Sequence, residues 1–282
     1  MLDDREDARR DEPGGADDPA RASFIADFGL PRAALGLTMR RQMALLPLDA
    51  QNRYRDRYRT LKPGWKPSSD QVEAIVRGLI THDSRVLDLG CGRGGVAEVI
   101  WRDVRLAAGV DPDPASLSEH RAAGMPVVRA VGEDLPFAAG SFDVVVSVWV
   151  LEHLADPLAT FIEVARVLRS GGHFVFLTPN LRNPLMTMNR IGKALPGLQR
   201  RLVPRVYGRD EADTFPVRYR ANTERDITAL ARASGFRVHE LRVVPDPTYL
   251  AMNGLMFNAT VMSERLMPKG WGLHLVGDLV RA

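Results

Sequence analysis

A glycine cluster and four acidic side chains are spaced in this chain as a positively charged nucleoside would require. The glycines stand in Asp88-Leu89-Gly90-Cys91-Gly92-Arg93-Gly94-Gly95. Glycine lets the backbone turn tightly and lets a ligand approach where a Cβ would collide. A helix starting after such a turn offers unpaired N–H groups. Gly90, Gly92 and Gly95 fit the dinucleotide pattern G-x-G-x-x-G, while Gly90, Gly92 and Gly94, led by Asp88, fit D-x-G-x-G-x-G. Taken alone, either match also describes a purely structural turn. The acids separate the readings. Asp88 suits a cationic ammonium, directly or through water, and does nothing for a pyrophosphate. Asp111 lies 21 residues after Gly90, where a carboxylate accepts both hydroxyls of a ribose; by itself it also reads as a solvated strand end. Glu133-Asp134 precede Leu135-Pro136-Phe137, an acid to accept from an adenine amino group with apolar neighbours for the ring. Three acidic positions at successive strand ends describe an amino acid, a ribose and an adenine in order.

The elements that must hold these groups follow from periodicity. Ser68, with Gln71 three positions on, reads as a capping box. Val72, Ile75, Val76, Leu79 and Ile80 follow at helical spacing. Arg85–Leu89 is a strand, Gly94–Trp101 a helix, and Leu106–Val110 a strand ending in Asp111. Ala115–Ala123 is a helix, Val127–Ala130 a strand and Phe142–Val148 a strong strand. Leu158–Leu168 is an amphipathic helix stopped by Gly171-Gly172, and Phe174–Thr178 is a strand. This alternation predicts a parallel sheet with helices on both faces, joined by right-handed crossovers. After an irregular insertion at 180–222, Thr223 caps a helix over Glu224–Ser234 that stops at Gly235. Phe236–Val244 alternates as a strand, Met252–Leu266 is helical, and Leu273–Val280 is a final strand.

The segments VLDLGCGRGG, GVDPD, GEDLPFAAGSFDVVVSVWVLEHLADP and LRSGGHFVFLTPN resemble the successive motifs of the class I S-adenosylmethionine-dependent methyltransferases, most closely the bacterial small-molecule group. The resemblance covers about residues 68–180 and is looser beyond. It implies the α/β, Rossmann-like class I methyltransferase fold: a seven-stranded, mainly parallel sheet whose last strand is antiparallel, with helices on both faces. It implies S-adenosyl-L-methionine as cofactor. Asp88, Gly90, Cys91 and Gly92 would line its methionine portion and Asp111, with Pro112, its ribose. Glu133, Asp134 and Leu135 would hold the adenine, and Val148 and Trp149, after Ser147, would sit near the transferring methyl. A hydroxyl acceptor also needs a proton acceptor, and His153, in Trp149-Val150-Leu151-Glu152-His153-Leu154, is the candidate catalytic residue. The same Glu-His-Leu stretch recurs in members with different substrates, so a structural role is its alternative. Trp149 stands where metal-dependent catechol-type enzymes carry an acid, so no metal is expected. The absence of Asn-Pro-Pro-Tyr or Asp-Pro-Pro-Tyr after the fourth strand argues against adenine or glutamine N-methylation.

Other residues have two readings each. Cys91 reads as a small buried filler beside the cofactor, without a companion His to make it a nucleophile. Tyr54 and Tyr58, at i and i+4 on a helix, either close over the cofactor or simply pack, as does Trp65. The insertion carries nine basic residues: Arg182, Arg190, Lys193, Arg200, Arg201, Arg205, Arg209, Arg218 and Arg220. Apolar side chains are interleaved with them. This is either a solvated basic lid or one that recognises an anionic or lipid-linked acceptor or touches a membrane surface. Phe215–Thr223 is dense in polar and aromatic groups and is expected to line the acceptor pocket.

Composition bounds the rest. With 282 residues and 45% apolar content, the chain can bury a sizeable core. Residues 1–21 hold eight acids, four arginines and almost nothing apolar, so a disordered acidic tail is expected. Residues 22–67 are expected to form an N-terminal helical extension, and 68–282 a methyltransferase domain carrying the cap insertion. There is no signal-peptide pattern at the start and no apolar run of transmembrane length. The single cysteine excludes an internal disulfide, and a reducing cytoplasm fits. Arginine outnumbers lysine 34 to 4, which reads as coding bias, and a net charge of +3 gives no case for nucleic acid as partner. The expected partner is a small-molecule, glycan- or lipid-linked acceptor, methylated first of all at oxygen, with peripheral membrane contact as an addition. The other readings are a different S-adenosylmethionine-using transferase, a non-catalytic cofactor-binding protein, or a nicotinamide-dependent oxidoreductase. The oligomeric state is not legible.

Overall fold

A computed structural model describes residues 48–187, 215–251 and 253–282, all within one compact unit, Gly36–Ala282. The acidic tail expected over 1–21 and most of the basic insertion lie outside the described residues.

Helix α1 (Leu48–Leu61) and helix α2 (Ser68–Leu79) precede an alternation of strands and helices. It runs β1 (Arg85–Leu89), α3 (Val96–Ile100), β2 (Leu106–Asp111), α4 (Pro114–Ser118), β3 (Val127–Arg129), β4 (Phe142–Val148), α5 (Pro157–Val167) and β5 (Leu168–Pro179). The C-terminal part adds α6 (Glu224–Ala233), β6 (Phe236–Val244), α7 (Gly254–Leu266) and β7 (His274–Arg281). The seven strands form one sheet in the order β3-β2-β1-β4-β5-β7-β6. β1 pairs in parallel with β2 and β4, and β7 runs antiparallel between β5 and β6. The strand order reverses between β1 and β4, which places a ligand crevice at their C-terminal ends.

Strict alternation along the central strands builds two cores. Leu87, Val145, Phe174 and Phe176 face one way, against Phe161 and Val164 of α5 and Ile227 and Ala231 of α6. Val86, Val144, Val146, Val175 and Leu177 face the other, against Val72 and Val76 of α2 and Ile100 of α3. Both faces are therefore dry, as a parallel sheet requires. A third cluster joins Tyr58 and Trp65 to Ala251 and Phe257, with Tyr54 stacked on Phe257 at 5.0 Å. The aromatic residues of α1 thus pack against α7.

Three expectations about local structure are corrected. Ser68 does not cap α2. It lies inside the helix, and its Oγ is 2.9 Å from His274 Nδ1, so a tertiary bond has taken the hydroxyl from the backbone. The helix expected to run to Ala123 stops at Ser118. Arg121 draws that segment toward the glycine turn, donating from its backbone N to Arg93 O at 3.1 Å and from its guanidinium to Glu98. Gly171-Gly172 does not end α5, which stops at Val167 when Leu168 enters β5. Those glycines serve the register shift between β4 and β5, and Gly171 takes φ +72.

Candidate active site

The glycine turn is pinned from below. Gly90 and Cys91 N–H both donate to Val110 O of the neighbouring strand, at 2.8 and 3.0 Å. Gly90, Gly92 and Gly94 take φ of +77, +51 and +136, a region that side-chain-bearing residues rarely adopt. A Cβ on Gly90 would lie 2.2 Å from Val150 Cγ2, so the segment leaving β4 sits directly on the turn. Cys91 Sγ fills the space above Gly109, where a Cβ would come within 2.6 Å. Burial pushes its thiol well above the usual range, consistent with a filler and not a nucleophile.

Asp88 is 2% exposed, and its Oδ2 accepts from Ala97 N at 3.0 Å, in the first turn of α3. A Cβ on Gly95 would lie 2.4 Å from that oxygen. Burial pushes the carboxyl up to about 7, with Asp111 and Glu98 adding repulsion against the offsetting N–H bonds. Asp111, at the end of β2, accepts from Gly92 N (3.0 Å) and Asp113 N (2.9 Å) and is 7% exposed; burial raises its carboxyl too. Two buried carboxyls, both raised, lie under and beside one glycine turn. Such an arrangement favours a ligand that brings positive charge or donating hydroxyls.

A cleft of about 380 Å³ opens beyond Asp111, lined by Pro112, Arg129, Ala130, Val131, Asp134 and Pro136. The adjacent acids diverge here. Asp134 is exposed in the cleft, whereas Glu133 Oε1 accepts from Asp156 N at 3.2 Å, ahead of α5. Leu135 points into the core, 3% exposed, so Pro136 and Val131 supply the apolar wall in its place. The Leu-Pro-Phe run held this signal, since successive residues of an extended segment face opposite ways.

At the end of β4, Ser147 is fully buried and Val148 half-buried. Trp149 takes φ +63 while its N–H donates to Leu177 O at 2.9 Å. A left-handed backbone at a bulky residue costs about 1–2 kcal/mol, so the surrounding bonds must hold it. Its ring meets the His274 ring edge-on, with centroids 4.9 Å apart. Glu152, 4% exposed, accepts from Thr178 Oγ1 at 3.3 Å, and Asn222 donates to the same hydroxyl at 2.7 Å. Glu152 O accepts from Arg218 N and Tyr219 N, which seats the Phe215–Thr223 segment on the β4 exit. His153 belongs to that segment's contacts: Nδ1 lies 3.1 Å from Pro216 O and the ring packs on Phe215. Of the described lid cations, Arg182 lies 3.8 Å from Glu224 and Arg220 donates to Ala155 O. Sequence reasoning missed His274 and read Ser68 only as a cap; the two are 206 residues apart and meet only in the fold.

Residues 87–176 match the family profile described as a methyltransferase domain. That stretch is a methyltransferase domain. A fatty-acid O-methyltransferase of Mycolicibacterium smegmatis is 39% identical over 115 residues, 38% of this chain and 40% of that protein. A ubiquinone biosynthesis O-methyltransferase of Hahella chejuensis is 34% identical over 143 residues, 48% of this chain and 60% of that protein. The chain thus spans less than two thirds of the length of each of these curated relatives. Among solved structures, geranyl diphosphate C-methyltransferase from Streptomyces coelicolor shares the fold at TM-score 0.53 and 19% identity, covering 76% of this chain and 79% of that one. The profile match thus runs from β1 to β5.

The residues present fit the family's cofactor. The turn leaves room at Gly92, where a Cβ would meet nothing nearer than Asp111 Oδ2 at 3.9 Å, the paired buried carboxyls suit cationic and hydroxyl-bearing groups, and the Asp134 cleft continues the line away from β1.

Proposed function

We propose that this methyltransferase moves a methyl group from S-adenosyl-L-methionine to an oxygen of a small-molecule, glycan- or lipid-linked acceptor. The observation that carries the reading is the glycine turn held over Asp88 and Asp111, directly against the β4 exit. The names of the two O-methyltransferase relatives support oxygen as the acceptor atom. In this reading Asp88, Gly90, Cys91 and Gly92 border the methionine portion, Asp111 and Pro112 the ribose, and Asp134, with Val131 and Pro136, the adenine region, while Glu133 and Leu135, also expected there, turn to α5 and to the core. Asp134 makes the direct contact there. Val148 and Trp149 border the reacting centre, and His153 is its sequence-based catalytic candidate.

The cofactor, when bound, supplies an already activated methyl. The work left to the chain is to align an acceptor oxygen in line with it and to exclude water. Trp149 and Val150, locked over the turn, form one wall of that space. The 215–222 segment, tied to Glu152 O, forms the other. We assign 1–21 as a tail, 22–67 as an N-terminal extension and 68–282 as the methyltransferase domain with its cap at 180–222.

Among the described residues no helix is long and apolar enough to cross a membrane. We place the protein in a bacterial cytoplasm, in small-molecule biosynthesis, on the strength of its single buried thiol and its arginine-rich coding. We propose a peripheral membrane contact for the basic lid; Arg190, Lys193, Arg200, Arg201, Arg205 and Arg209 lie outside the described residues. No nucleic-acid partner is proposed.

Calorimetry with S-adenosylmethionine, S-adenosylhomocysteine and NAD tests the cofactor, and labelled methyl transfer to a panel of alcohols, phenols, fatty acids and amines tests the reaction. Binding of adenosylhomocysteine with transfer to an oxygen acceptor is expected. Tight NAD binding without adenosylhomocysteine binding would refute the assignment. Sedimentation with anionic vesicles at low salt tests the lid, and no binding there removes the membrane contact.

A further inference from the structure

We propose that His274, oriented by Ser68, is the general base for a hydroxyl-bearing acceptor; the inference rests on the oxygen-methylation reading above and narrows it to alcohols or phenols. A carboxylate acceptor is already deprotonated and needs no base. A hydroxyl acceptor does.

The position follows from the register. His274 is the first residue of β7 and pairs with Pro179 at the end of β5 and Val244 at the end of β6. An antiparallel strand thereby brings its first residue to the edge where the parallel strands end, which is the ligand edge of the sheet. Alternation puts His274 on the same face as Val276, and Val276 shares a core with Val148 and Trp149. The ring stands edge-on to Trp149 at 4.9 Å, and the next residue, Val150, rests on Gly90. The imidazole is thus linked to the glycine turn through Trp149 and Val150.

The orientation is set by one bond. Ser68 Oγ lies 2.9 Å from Nδ1, and among the described residues nothing hydrogen-bonds Nε2. When Nδ1–H donates to Ser68 Oγ, the lone pair sits at Nε2, the form a base requires. The charged groups facing the ring are Asp246, before the short 3-10 turn Pro247–Leu250, and Arg55 of α1. Burial, with Arg55 opposing Asp246, lowers the imidazole to about 4, so the ring is neutral through the working pH range. His153 contrasts with it: Nδ1 is spent on Pro216 O, and Nε2 lies 3.9 Å from Glu152 Oε1.

The step balances. The acceptor oxygen forms a bond to the methyl carbon as the methyl–sulfur bond breaks, with that electron pair staying on sulfur. The hydroxyl proton passes to His274 Nε2, and the resulting imidazolium, steadied by Asp246, releases it to water.

The test uses the full chain and two arms. In the first, nitrogen NMR of the histidine rings, with His274→Gln for assignment, reads the tautomer without any acceptor. A neutral Nδ1–H ring at pH 6 is expected, and an Nε2–H ring overturns the proposal. In the second, labelled methyl transfer to a simple phenol, a long-chain alcohol and a fatty acid is compared in wild type, H274Q, S68A, S68T and H153A. H274Q is expected to lower kcat on the hydroxyl probes by roughly 100-fold or more, with cofactor Kd within about twofold and fatty-acid transfer little changed. S68A is expected to lower kcat more mildly, with S68T restoring it. Equal loss on hydroxyl and carboxylate probes, or a larger loss in H153A than in H274Q, refutes the role of His274. Transfer by wild type to the fatty acid alone refutes the hydroxyl class while sparing the oxygen reading. Transfer to none of the oxygen probes removes both, even where NMR finds the expected tautomer.

Discussion

Replacing Asp88 by asparagine tests the electrostatics under the glycine turn. The carboxyl has an ordinary value of 3.8 and stands at about 7 in the folded chain, chiefly through burial. The folded state therefore keeps a proton that the unfolded state surrenders. The stabilisation this represents is fully present below about pH 4, falls as pH rises, and is gone above about pH 7. Roughly three pH units at about 1.4 kcal/mol each give a change of about 4 kcal/mol across that window. The asparagine side chain is uncharged throughout and keeps an oxygen for the Ala97 N–H, so the variant should lack this slope. Urea unfolding of both proteins at half-unit steps from pH 4 to 7.5 reads the difference directly, because Asp111 is common to both. The variant should gain on wild type as pH rises. Parallel stability profiles, within about 0.5 kcal/mol, would mean that Asp88 ionises normally and that the reasoning about its burial is wrong. A second reading comes from ligand binding. A cationic ligand ionises the carboxyl, so at pH 6 binding should release more protons from wild type than from the variant, seen as a larger buffer dependence of the binding heat.

Three further outcomes are expected. Asp111→Ala removes the acceptor of the Gly92 and Asp113 N–H groups and should weaken S-adenosylmethionine binding at least tenfold by calorimetry; unchanged affinity refutes the ribose assignment. Gly90→Ala should cost about 1–3 kcal/mol of stability in denaturant melts because its Cβ meets Val150, and Val150→Ala in the same chain should recover part of that loss. Thr223→Ala should cost about 1 kcal/mol, since its Oγ1 accepts from Asp226 N at 3.1 Å as the N-cap of α6; no change in thermal midpoint would show that the cap is dispensable.

The parts of the fold legible in the sequence were those fixed by short-range periodicity. Phe142–Val148 and Phe236–Val244 have the bounds their apolar patterns imply, and Arg85–Leu89 stands as expected. A buried strand such as Phe142–Val148 needs a near-continuous apolar run and an edge strand such as Phe236–Val244 an alternating one, and both needs are local. The misreadings arose where a distant group outbid the local rule. Ser68 carries a cap signature, but His274 takes its hydroxyl. The run to Ala123 has helical composition, but Arg121 is pulled toward Glu98 and the turn. Gly171-Gly172 look like a helix stop, but the β4–β5 register uses them.

The glycine turn and the acids at successive strand ends were determined by the sequence alone, because strand, turn and acid are consecutive and their spacing is the signal. Which acids share a task was decided by the tertiary structure. Glu133 and Asp134 are neighbours in sequence, yet one bonds the start of α5 and the other lines a cleft. The acceptor side was likewise decided by the fold. His274 comes to the ligand edge only because β7 runs antiparallel between β5 and β6, and no local pattern around position 274 records a partner at position 68.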